Sequence, residues 1–511
     1  MLGRYQLPTF RTFQLSSLRW VLLALLVAFI ISTQPPLYTA AALVGLTAAT
    51  LLLLNPVWGA YAIVLSVPVQ KFVTYNAGPL EITITQMIFV FVLAMWLAWM
   101  SIRQDRRLVL TPIAVALLLL YVAMIASLMV TSSLSASLAE LSRWLVTILA
   151  YIIIINSIQT RREMNILIGV MLLTATLEAV LGLTQAYTGI GPESFNVEDT
   201  LTRAYGTIGA PNSFAGYLNM TLPLAIALTV YHWGKWTSAR KALPFMDRPR
   251  YFTFGTLRVP LFMTLITFII FWAVVTSLSR GAWIGLTFGL LAMLFALGRR
   301  AVAAIAGLLV LGLALVVLAL AGALPAPITD RVGLLLSQIT IFDPRGIVPT
   351  PENYALVERM VHWQVAGNMF LSDPWFGVGI GNFNELFAKF GVQGWPTSAG
   401  HAHNIYLHML AETGLVGTTF YLVMLITALT VGIRALRRVR SAGDTYGEAI
   451  VIGVIGVLVT FMVHNFFEDL HVLNMGIHWA AALSLFTFVW LRPVRTLERW
   501  NVRTLERSGV T

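Results

Sequence analysis

Two histidines and an asparagine lie together in the segment His401-Ala-His403-Asn404, directly before a long apolar run. A neutral imidazole at the beginning of a helix suits a general base that removes a proton from a hydroxyl group. A histidine that only caps the helix is the alternative interpretation. The spacing alone does not decide which of His401 and His403 would act.

Three further ionisable residues, Glu468, Asp469 and His471, lie at the end of a later apolar run. They either orient the base or form a solvated rim. Glu468 and His471, together with His362 and Asp373, offer possible ligands for a metal ion beside the two histidines. The chain contains neither an HExxH pattern nor an Asp-x-Asp pattern, and we therefore predict no catalytic metal.

Two arginines stand where a membrane protein seldom places them. Arg280 follows Ser279 in a turn between two apolar runs, and Arg359 stands four residues before Trp363. Topology alone puts basic residues on the cytoplasmic side, so an external arginine needs another explanation. A guanidinium group binds phosphate oxygens through two parallel hydrogen bonds. The alternatives are interfacial snorkelling for Arg280 and a cation–π pair on one helix face for Arg359 and Trp363.

Membrane-spanning helices must position these residues. The chain is 58% hydrophobic and 11% charged, whereas about a quarter of the residues in a soluble protein are charged. Apolar runs of about 20 residues recur along the chain, which predicts an all-α polytopic membrane protein with about 14 transmembrane helices. One of these predicted spans, the third, covers about residues 57–74.

Clusters of basic residues between the spans place both termini in the cytoplasm and the ionisable segment outside. A helix is predicted from Glu352 to Phe370, ending at Asp373-Pro374. The predicted regions are a first transmembrane part (1–322, about 11 spans), an external loop with short helices (323–412), three last spans (413–491) and a basic cytoplasmic tail (492–511).

The absence of cysteine and the distribution of basic residues exclude further classes of function. Cysteine is absent, which excludes disulfides and thiolate chemistry. The net charge of +11 comes from short clusters between spans, which is the pattern that membrane topology produces, so no nucleic-acid partner is expected. We predict no cofactor.

Five segments together resemble the O-antigen ligase and polymerase superfamily in their order and spacing. They are Arg203-Ala-Tyr-Gly206-Thr-Ile-Gly-Ala-Pro211-Asn212, Ser279-Arg280-Gly281-Ala-Trp283, Arg359-Met-Val-His-Trp363, Asp373-Pro374-Trp-Phe-Gly377-Val-Gly379 and His401-Ala-His403-Asn404-Ile-Tyr406-Leu.

The resemblance implies a metal-independent, inverting glycosyltransferase at the outer face of the bacterial inner membrane. Its donor would be a glycan on undecaprenyl pyrophosphate, and its other partners a glycolipid or glycan acceptor and membrane lipids. His403 would deprotonate the acceptor hydroxyl, and Arg280 and Arg359 would bind the pyrophosphate. The implied substrate-binding residues are Arg203, Asn212, Trp363, His401 and Asn404.

Three functions remain open from the sequence. A ligase that uses a lipid A core-type acceptor leads, and a polymerase of O-antigen or exopolysaccharide shares its donor chemistry. A polysaccharide transporter or flippase is the competing class, but it should concentrate ionisable groups at the membrane midplane.

Overall fold

The computed structural model of the protein describes residues 36–71, 74–77, 80–103, 107–197, 201–242, 253–298, 342–348, 353–392 and 400–492, with a few isolated residues between 313 and 398. The described chain is mainly helical. Its helices in chain order are α1 (Pro36–Leu54), α2 (Val57–Ser66), α3 (Ile84–Ile102), α4 (Pro112–Ala126), α5 (Leu134–Ser157), α6 (Arg161–Thr188), α7 (Pro211–Asn219), α8 (Leu222–Ala242), α9 (Phe254–Thr276), α10 (Arg280–Leu297), α11 (Tyr354–Ser372), α12 (Phe383–Phe390), α13 (Ile405–Ala442), α14 (Thr445–His464) and α15 (Met475–Leu491).

Among the described residues, nine helices are long and apolar enough to span a membrane. The nine candidates are α3, α4 with its 3₁₀ extension to Val130, α5, α6, α7 together with α8, α9, α10, α13 and α14. Shorter apolar helices occur at Leu43–Leu54, Val57–Ser66 and Met475–Leu491. The protein is therefore an integral membrane protein, as predicted, but the count of about 14 spans is not confirmed. Two of those predicted spans, near 20–33 and 302–322, lie outside the described residues.

The predicted third span is shorter in the structure. Helix α2 ends at Ser66, because Pro68 has no N–H to continue the helical hydrogen bonds. Two short strands follow, β1 (Thr74–Ala77) and β2 (Leu80–Thr83), which pair antiparallel. A second, smaller antiparallel pair joins β3 (Asn196–Val197) to β4 (Leu201–Thr202).

The predicted loop helix is confirmed. Helix α11 ends at Ser372, where Asp373 leads into a turn and its carboxylate accepts from Trp375 N and Phe376 N at 3.1 and 3.0 Å. Helices α11 and α12 pack together around a small apolar core. The buried residues of this core include Val361, Met369, Phe383 and Phe387. This core is separate from the larger core of the helix bundle.

Helix α13 is broken near its beginning. Gly414 has φ 60° and ψ −159°, a backbone conformation open to glycine only. The 374–378 turn fills the break, because Leu415 N donates to Pro374 O and Val378 N donates to Ala411 O, both at 2.8 Å. Backbone groups released by the break are thus satisfied inside the protein, as a membrane requires.

Candidate active site

The histidine segment is fixed by the beginning of α13. Asn404 caps this helix, since its side-chain oxygen accepts from Tyr406 N and Leu407 N at 3.0 and 3.2 Å. Ile405 N donates to Asn465 O at 3.0 Å, which joins the segment to the end of α14. Asn404 was predicted to bind substrate; in the structure its side-chain oxygen serves as the helix cap.

His403 has a left-handed backbone with φ 49°. A residue with a β-carbon seldom adopts this conformation, and it is held there by its surroundings. Leu278 and Leu473 are likewise non-glycine residues with positive φ, 53° and 56°. Leu278 precedes Arg280 by two residues, in the turn that leads to α10.

Glu468 is the carboxylate that meets both histidines. Its Oε1 lies 3.2 Å from His401 Nε2 and 3.3 Å from His403 Nδ1, and its side chain is 4% exposed. The solvated-rim interpretation of this residue is therefore wrong. Burial alone would raise the pKa of the Glu468 carboxyl. The hydrogen bond from His403 and the charges of His401, His403 and Arg359 outweigh burial and hold this pKa well below its usual range.

The two imidazoles differ in the contacts that their ring nitrogens make. His401 Nδ1 accepts from the backbone N–H of His403 at 3.1 Å, and its Nε2 faces Glu468. His403 Nδ1 lies 3.3 Å from Glu468 Oε1, and beyond this charge contact neither ring nitrogen of His403 has a hydrogen-bond partner among the described residues. Burial lowers the pKa of His401, although the charge of Glu468 opposes this effect.

Arg203 is held beside the turn that carries Arg280. Its Nε donates to Ser277 O at 2.9 Å and its Nη2 donates to Asn212 Oδ1 at 3.0 Å. Ala204 N donates to Thr276 O at 3.2 Å, so the loop is also tied to the end of α9. Asn212, predicted to bind substrate, thus orients an arginine in the structure.

The electrostatics show that three arginines converge. Burial and the positive charges of Arg359 and Arg280 together lower the pKa of Arg203 to about 10, against the opposing effect of Glu468. Burial also lowers the pKa of Arg359, with Glu468 the first of the two carboxylates that oppose this effect. Arg203 therefore lies within the electrostatic influence of Arg280, Arg359 and Glu468, and Arg359 lies within that of Glu468.

Arg280 is the first residue of α10. A β-carbon built on the next residue, Gly281, would lie 2.8 Å from Phe467 Cβ and 3.2 Å from His464 Cδ2. This contact places the beginning of α10 against the end of α14, immediately before Glu468. Sequence prediction had named Arg280, Arg359 and His403 as one site, and the structure brings all three to the same end of the helices.

His362 and Trp363 lie on α11 beside the histidines. The His362 ring is 5.5 Å from that of His403 and 4.8 Å from that of Phe387, between centroids. His362 Nδ1 donates to Glu358 O at 2.7 Å, and burial lowers the pKa of His362 to about 4. The indole of Trp363 has a buried Nε1 without a hydrogen-bond partner among the described residues.

A second polar network lies behind the site and was not predicted. The Glu412 carboxylate accepts from Gly381 N and Phe383 N, both at 2.8 Å, and His408 Nε2 lies 3.5 Å from it. Arg143 pairs with Glu140 on α5. Glu412 follows the apolar start of α13 in an otherwise ordinary helical pattern, so only its isolation among apolar residues could have drawn attention to it.

His471 belongs to an aromatic cluster and not to the histidine pair. Its ring lies 4.3 Å from that of Trp144, and its Nε2 lies 3.2 Å from Tyr421 Oη. Burial lowers the pKa of His471 to about 4. The sequence offered His471 as a partner of the base or as a metal ligand. In the structure Glu468, and not His471, contacts the two histidines.

One group of possible metal ligands occurs among the described residues. It consists of His401, His403 and Glu468, whose ligand atoms lie within 4.8 Å of one another. His362, Asp373 and His471, the other ligands considered from the sequence, are not part of it. The residue types fit a transition metal, but His401 Nδ1 already accepts a hydrogen bond. The other nitrogen of its neutral ring, Nε2, must then carry the proton and cannot coordinate.

A comparison with known protein families supports the resemblance. Residues 265–422 match the family described as O-antigen ligase. This region contains Arg280, Arg359, Trp363, His401 and His403. No curated protein matches the chain.

Proposed function

We propose, because this chain belongs to the O-antigen ligase and polymerase superfamily, that it is an inverting glycosyltransferase of lipid-linked glycans. It transfers a glycan from undecaprenyl pyrophosphate to an acceptor hydroxyl, with a lipid A core-type glycolipid as the leading acceptor. The reaction takes place at the outer face of the bacterial inner membrane, with both termini in the cytoplasm. Residues 323–412 form the external catalytic region between the two transmembrane parts.

The observation that carries this proposal is the position of Arg203 close to Arg280, to Arg359 and to the carboxylate that also contacts two histidines. Arg203 and Arg359 each interact electrostatically with Glu468, and Arg203 also with Arg280. A diphosphate is the ligand that several adjacent guanidinium groups suit best. A base and a diphosphate-binding group in one site are what glycan transfer from a polyprenyl diphosphate requires.

The reaction follows from these positions. Nε2 of His403 takes the proton of the acceptor hydroxyl, and the hydroxyl oxygen attacks the anomeric carbon of the donor. The bond between this carbon and the phosphate oxygen breaks, and its electron pair leaves with the diphosphate. Arg280 and Arg359 stabilise this developing charge, which lowers the barrier because the groups are already oriented. Attack opposite the leaving group inverts the anomeric configuration.

The hydrogen bonds support His403 as the base over His401. Both ring nitrogens of His401 are engaged, one by a backbone N–H and the other by Glu468. Of the two histidines, His403 keeps a ring nitrogen, Nε2, that has neither a carboxylate contact nor a hydrogen-bond partner among the described residues. His401 then acts as the residue that supports His403 and lines the site together with Trp363.

The same hydrogen bonds support a reaction without metal. Coordination through His401 Nε2 would move the ring proton to Nδ1, opposite the backbone N–H of His403. Two donors would then face each other at 3.1 Å. The histidines and Glu468 are therefore better suited to hydrogen bonding than to metal binding.

The position of the charged groups favours transfer over transport. The site residues lie at the beginning of α10, before α13 and after α14, which are neighbouring ends of helices. A transporter would instead carry ionisable groups within broken helices near the midplane. A polymerase uses the same donor site, so the acceptor decides between polymerase and ligase.

Reconstitution tests the proposed function. The purified chain in lipid nanodiscs receives a synthetic polyprenyl-diphosphate saccharide and either a lipid A core glycolipid or a second polyprenyl-linked saccharide. We expect the glycolipid to be glycosylated and polyprenyl diphosphate to be released, in the presence of a chelator as well as without it. Elongation of the second saccharide alone would identify a polymerase, and loss of transfer in chelator would overturn the metal-free mechanism.

Matched variants connect transfer to the site. Arg345 is a basic residue whose side chain is 70% exposed and pairs with Asp343. Arg345→Met should keep transfer, whereas Arg359→Met should abolish it with normal membrane insertion. Equal activity of the two variants would contradict the assignment of the diphosphate site.

A further inference from the structure

We propose that Glu468 is a positioning residue of the transfer reaction, which orients both imidazoles and leaves Nε2 of His403 as the proton acceptor. This inference rests on the proposed function. Glu468 lies outside the matched region 265–422, and the sequence left open whether it orients the base or lies in a solvated rim.

The position of Glu468 is fixed by the backbone on both sides of the contact. Its segment lies between α14 and α15, where Asn465 O accepts from Ile405 N at 3.0 Å. The Asn465 side-chain oxygen also accepts from Leu470 N at 2.9 Å. Glu468 is 3% exposed. The carboxylate is therefore held against the histidine segment and not merely attracted to it.

The contacts determine the tautomer of His403. An ionised carboxylate has no proton to donate, so a ring nitrogen that faces it carries the proton. Nδ1 of His403 is this nitrogen, 3.3 Å from Glu468 Oε1. The remaining nitrogen, Nε2, then carries the lone pair that a base needs.

His401 gives an independent check on the same carboxylate. Its Nδ1 accepts from His403 N at 3.1 Å, which requires a lone pair on Nδ1 and a proton on Nε2. Nε2 is the atom that lies 3.2 Å from Glu468 Oε1. Both rings therefore present an N–H to one oxygen, and the two tautomers follow from separate contacts.

Glu468 also stabilises the product of proton transfer. Once His403 has accepted a proton, the imidazolium is largely buried, with its side chain 15% exposed. A charge in such surroundings is costly unless an opposite charge adjoins it. The carboxylate supplies that charge at the moment when the acceptor oxygen attacks.

Other charged groups surround the histidine pair and must be considered in a pH experiment. They are Arg359, His362 and Glu358 on α11, His408 on α13, His464 on α14, Asp469 beside Glu468, and Arg203 and Arg280. Among the described residues, Glu468 is the carboxylate in contact with both rings. A change at Glu468 should therefore affect the base more than a change at any other carboxylate nearby.

The first experiment measures kinetics of Glu468→Gln in the reconstituted system. Glutamine keeps the shape and removes the charge. We expect kcat to fall about 10²–10⁴-fold, with the KM for the donor nearly unchanged. The acidic limb of the pH–rate profile should move to lower pH, because the imidazolium loses its counter-ion. Glu468→Asp should recover part of kcat.

Glu412→Gln is the matched control. Its carboxylate is 2% exposed, similar to Glu468 with 4%, but it binds the backbone of Gly381 and Phe383. This variant should lower the thermal stability without moving the acidic limb. If Glu468→Gln behaves in the same way, or keeps the wild-type kcat, the positioning role is overturned.

The second experiment reads the tautomer directly and needs no activity. Nitrogen-15 NMR of histidine-labelled protein in nanodiscs distinguishes the two tautomers, and loss of a signal in His403→Gly assigns the ring. We expect the proton on Nδ1 of His403 in the wild type and a mixture of tautomers in Glu468→Gln. A wild-type proton on Nε2 would overturn the inference even if the variant fails to fold. Absence of transfer with every acceptor would overturn the proposed function alone.

Discussion

The backbone of His403 is strained in a way that has an experimental use. Its φ of 49° costs a residue with a β-carbon about 1–2 kcal/mol, and glycine nothing. Replacement of His403 by glycine therefore removes the imidazole while relieving the backbone. The position can be tested for chemistry with little effect on folding.

His403→Gly should abolish transfer and leave the thermal midpoint equal to or above that of the wild type. Added imidazole should restore part of the activity, because the vacated volume adjoins Glu468 and a small base can enter it. His401→Gly serves as the control and should be reduced in activity without rescue. Rescue of His401→Gly, or transfer by His403→Gly without imidazole, would assign the base to another residue.

Arg280→Lys should lower transfer about 10–100-fold, although the positive charge is retained. A lysine ammonium cannot form the two parallel hydrogen bonds that a guanidinium makes with a diphosphate. The rate of polyprenyl diphosphate release at saturating acceptor measures the effect. A wild-type rate would mean that Arg280 is an interfacial anchor, which is the alternative that the sequence left open.

Side-chain types were predictable from the sequence, but their contacts were not. Asn404 and Asn212 are predicted to bind substrate, and in the structure their side-chain oxygens cap α13 and accept from Arg203. Asparagine is suited to both purposes. Only the position of a neighbouring N–H group decides between them.

Close packing between α10 and α14 holds Arg280 beside Glu468. A β-carbon on Gly285 would lie 2.8 Å from Thr460 O, and one on Gly289 would lie 2.7 Å from Gly456 O. Small residues that let two helices approach in this way are typical of packing within membranes. The beginning of α10 and the end of α14 are therefore positioned together.

Gly289→Leu should separate these helices, destabilise the protein by about 1–3 kcal/mol and lower transfer by displacing Arg280. Gly169→Leu on α6 is the control, since a β-carbon there meets nothing within 4 Å. Thermal unfolding in detergent and the transfer rate measure both effects. Equal behaviour of the two variants would show that α10 is not held through this contact.

The break in α13 shows what the apolar periodicity of the sequence can and cannot predict about a helix. The sequence predicted a helix from the histidine segment and a separate span from about 415. The structure has one helix, Ile405–Ala442, broken at Gly414. The composition of the sequence indicated that the helix is interrupted near this point. The hydrogen bonds that residues 374–378 make to the broken helix could not be predicted, because these residues lie in a separate turn of the chain.

The whole molecule should lose stability in mild acid. Burial lowers the pKa of His362 and of His471 to about 4, whereas an unfolded histidine has a pKa of about 6.5. Between these values the unfolded chain binds more protons than the folded one, so stability falls as the pH falls from about 6.5 to about 4. Above about 6.5 these two residues contribute no pH dependence.

The thermal midpoint in detergent should therefore decrease steadily below about pH 6.5. The free energy of unfolding should fall by up to a few kcal/mol for each histidine. His362→Phe should make the decrease shallower, because phenylalanine fits beside Phe383 and Phe387 and does not titrate. An unchanged slope in this variant would show that His362 is already protonated in the folded state.

The sequence by itself determined that the chain is an integral membrane protein, and its motifs indicated the resemblance to the O-antigen ligase and polymerase superfamily. Composition and apolar run length decide whether a chain enters a membrane, and short motifs keep their residue types. Only the tertiary structure decided that Glu468 is buried against His401 and His403 and lies near Arg203 and Arg359. These contacts join segments more than 60 residues apart in a sequence of 511, and a spacing of that length fixes no distance in space.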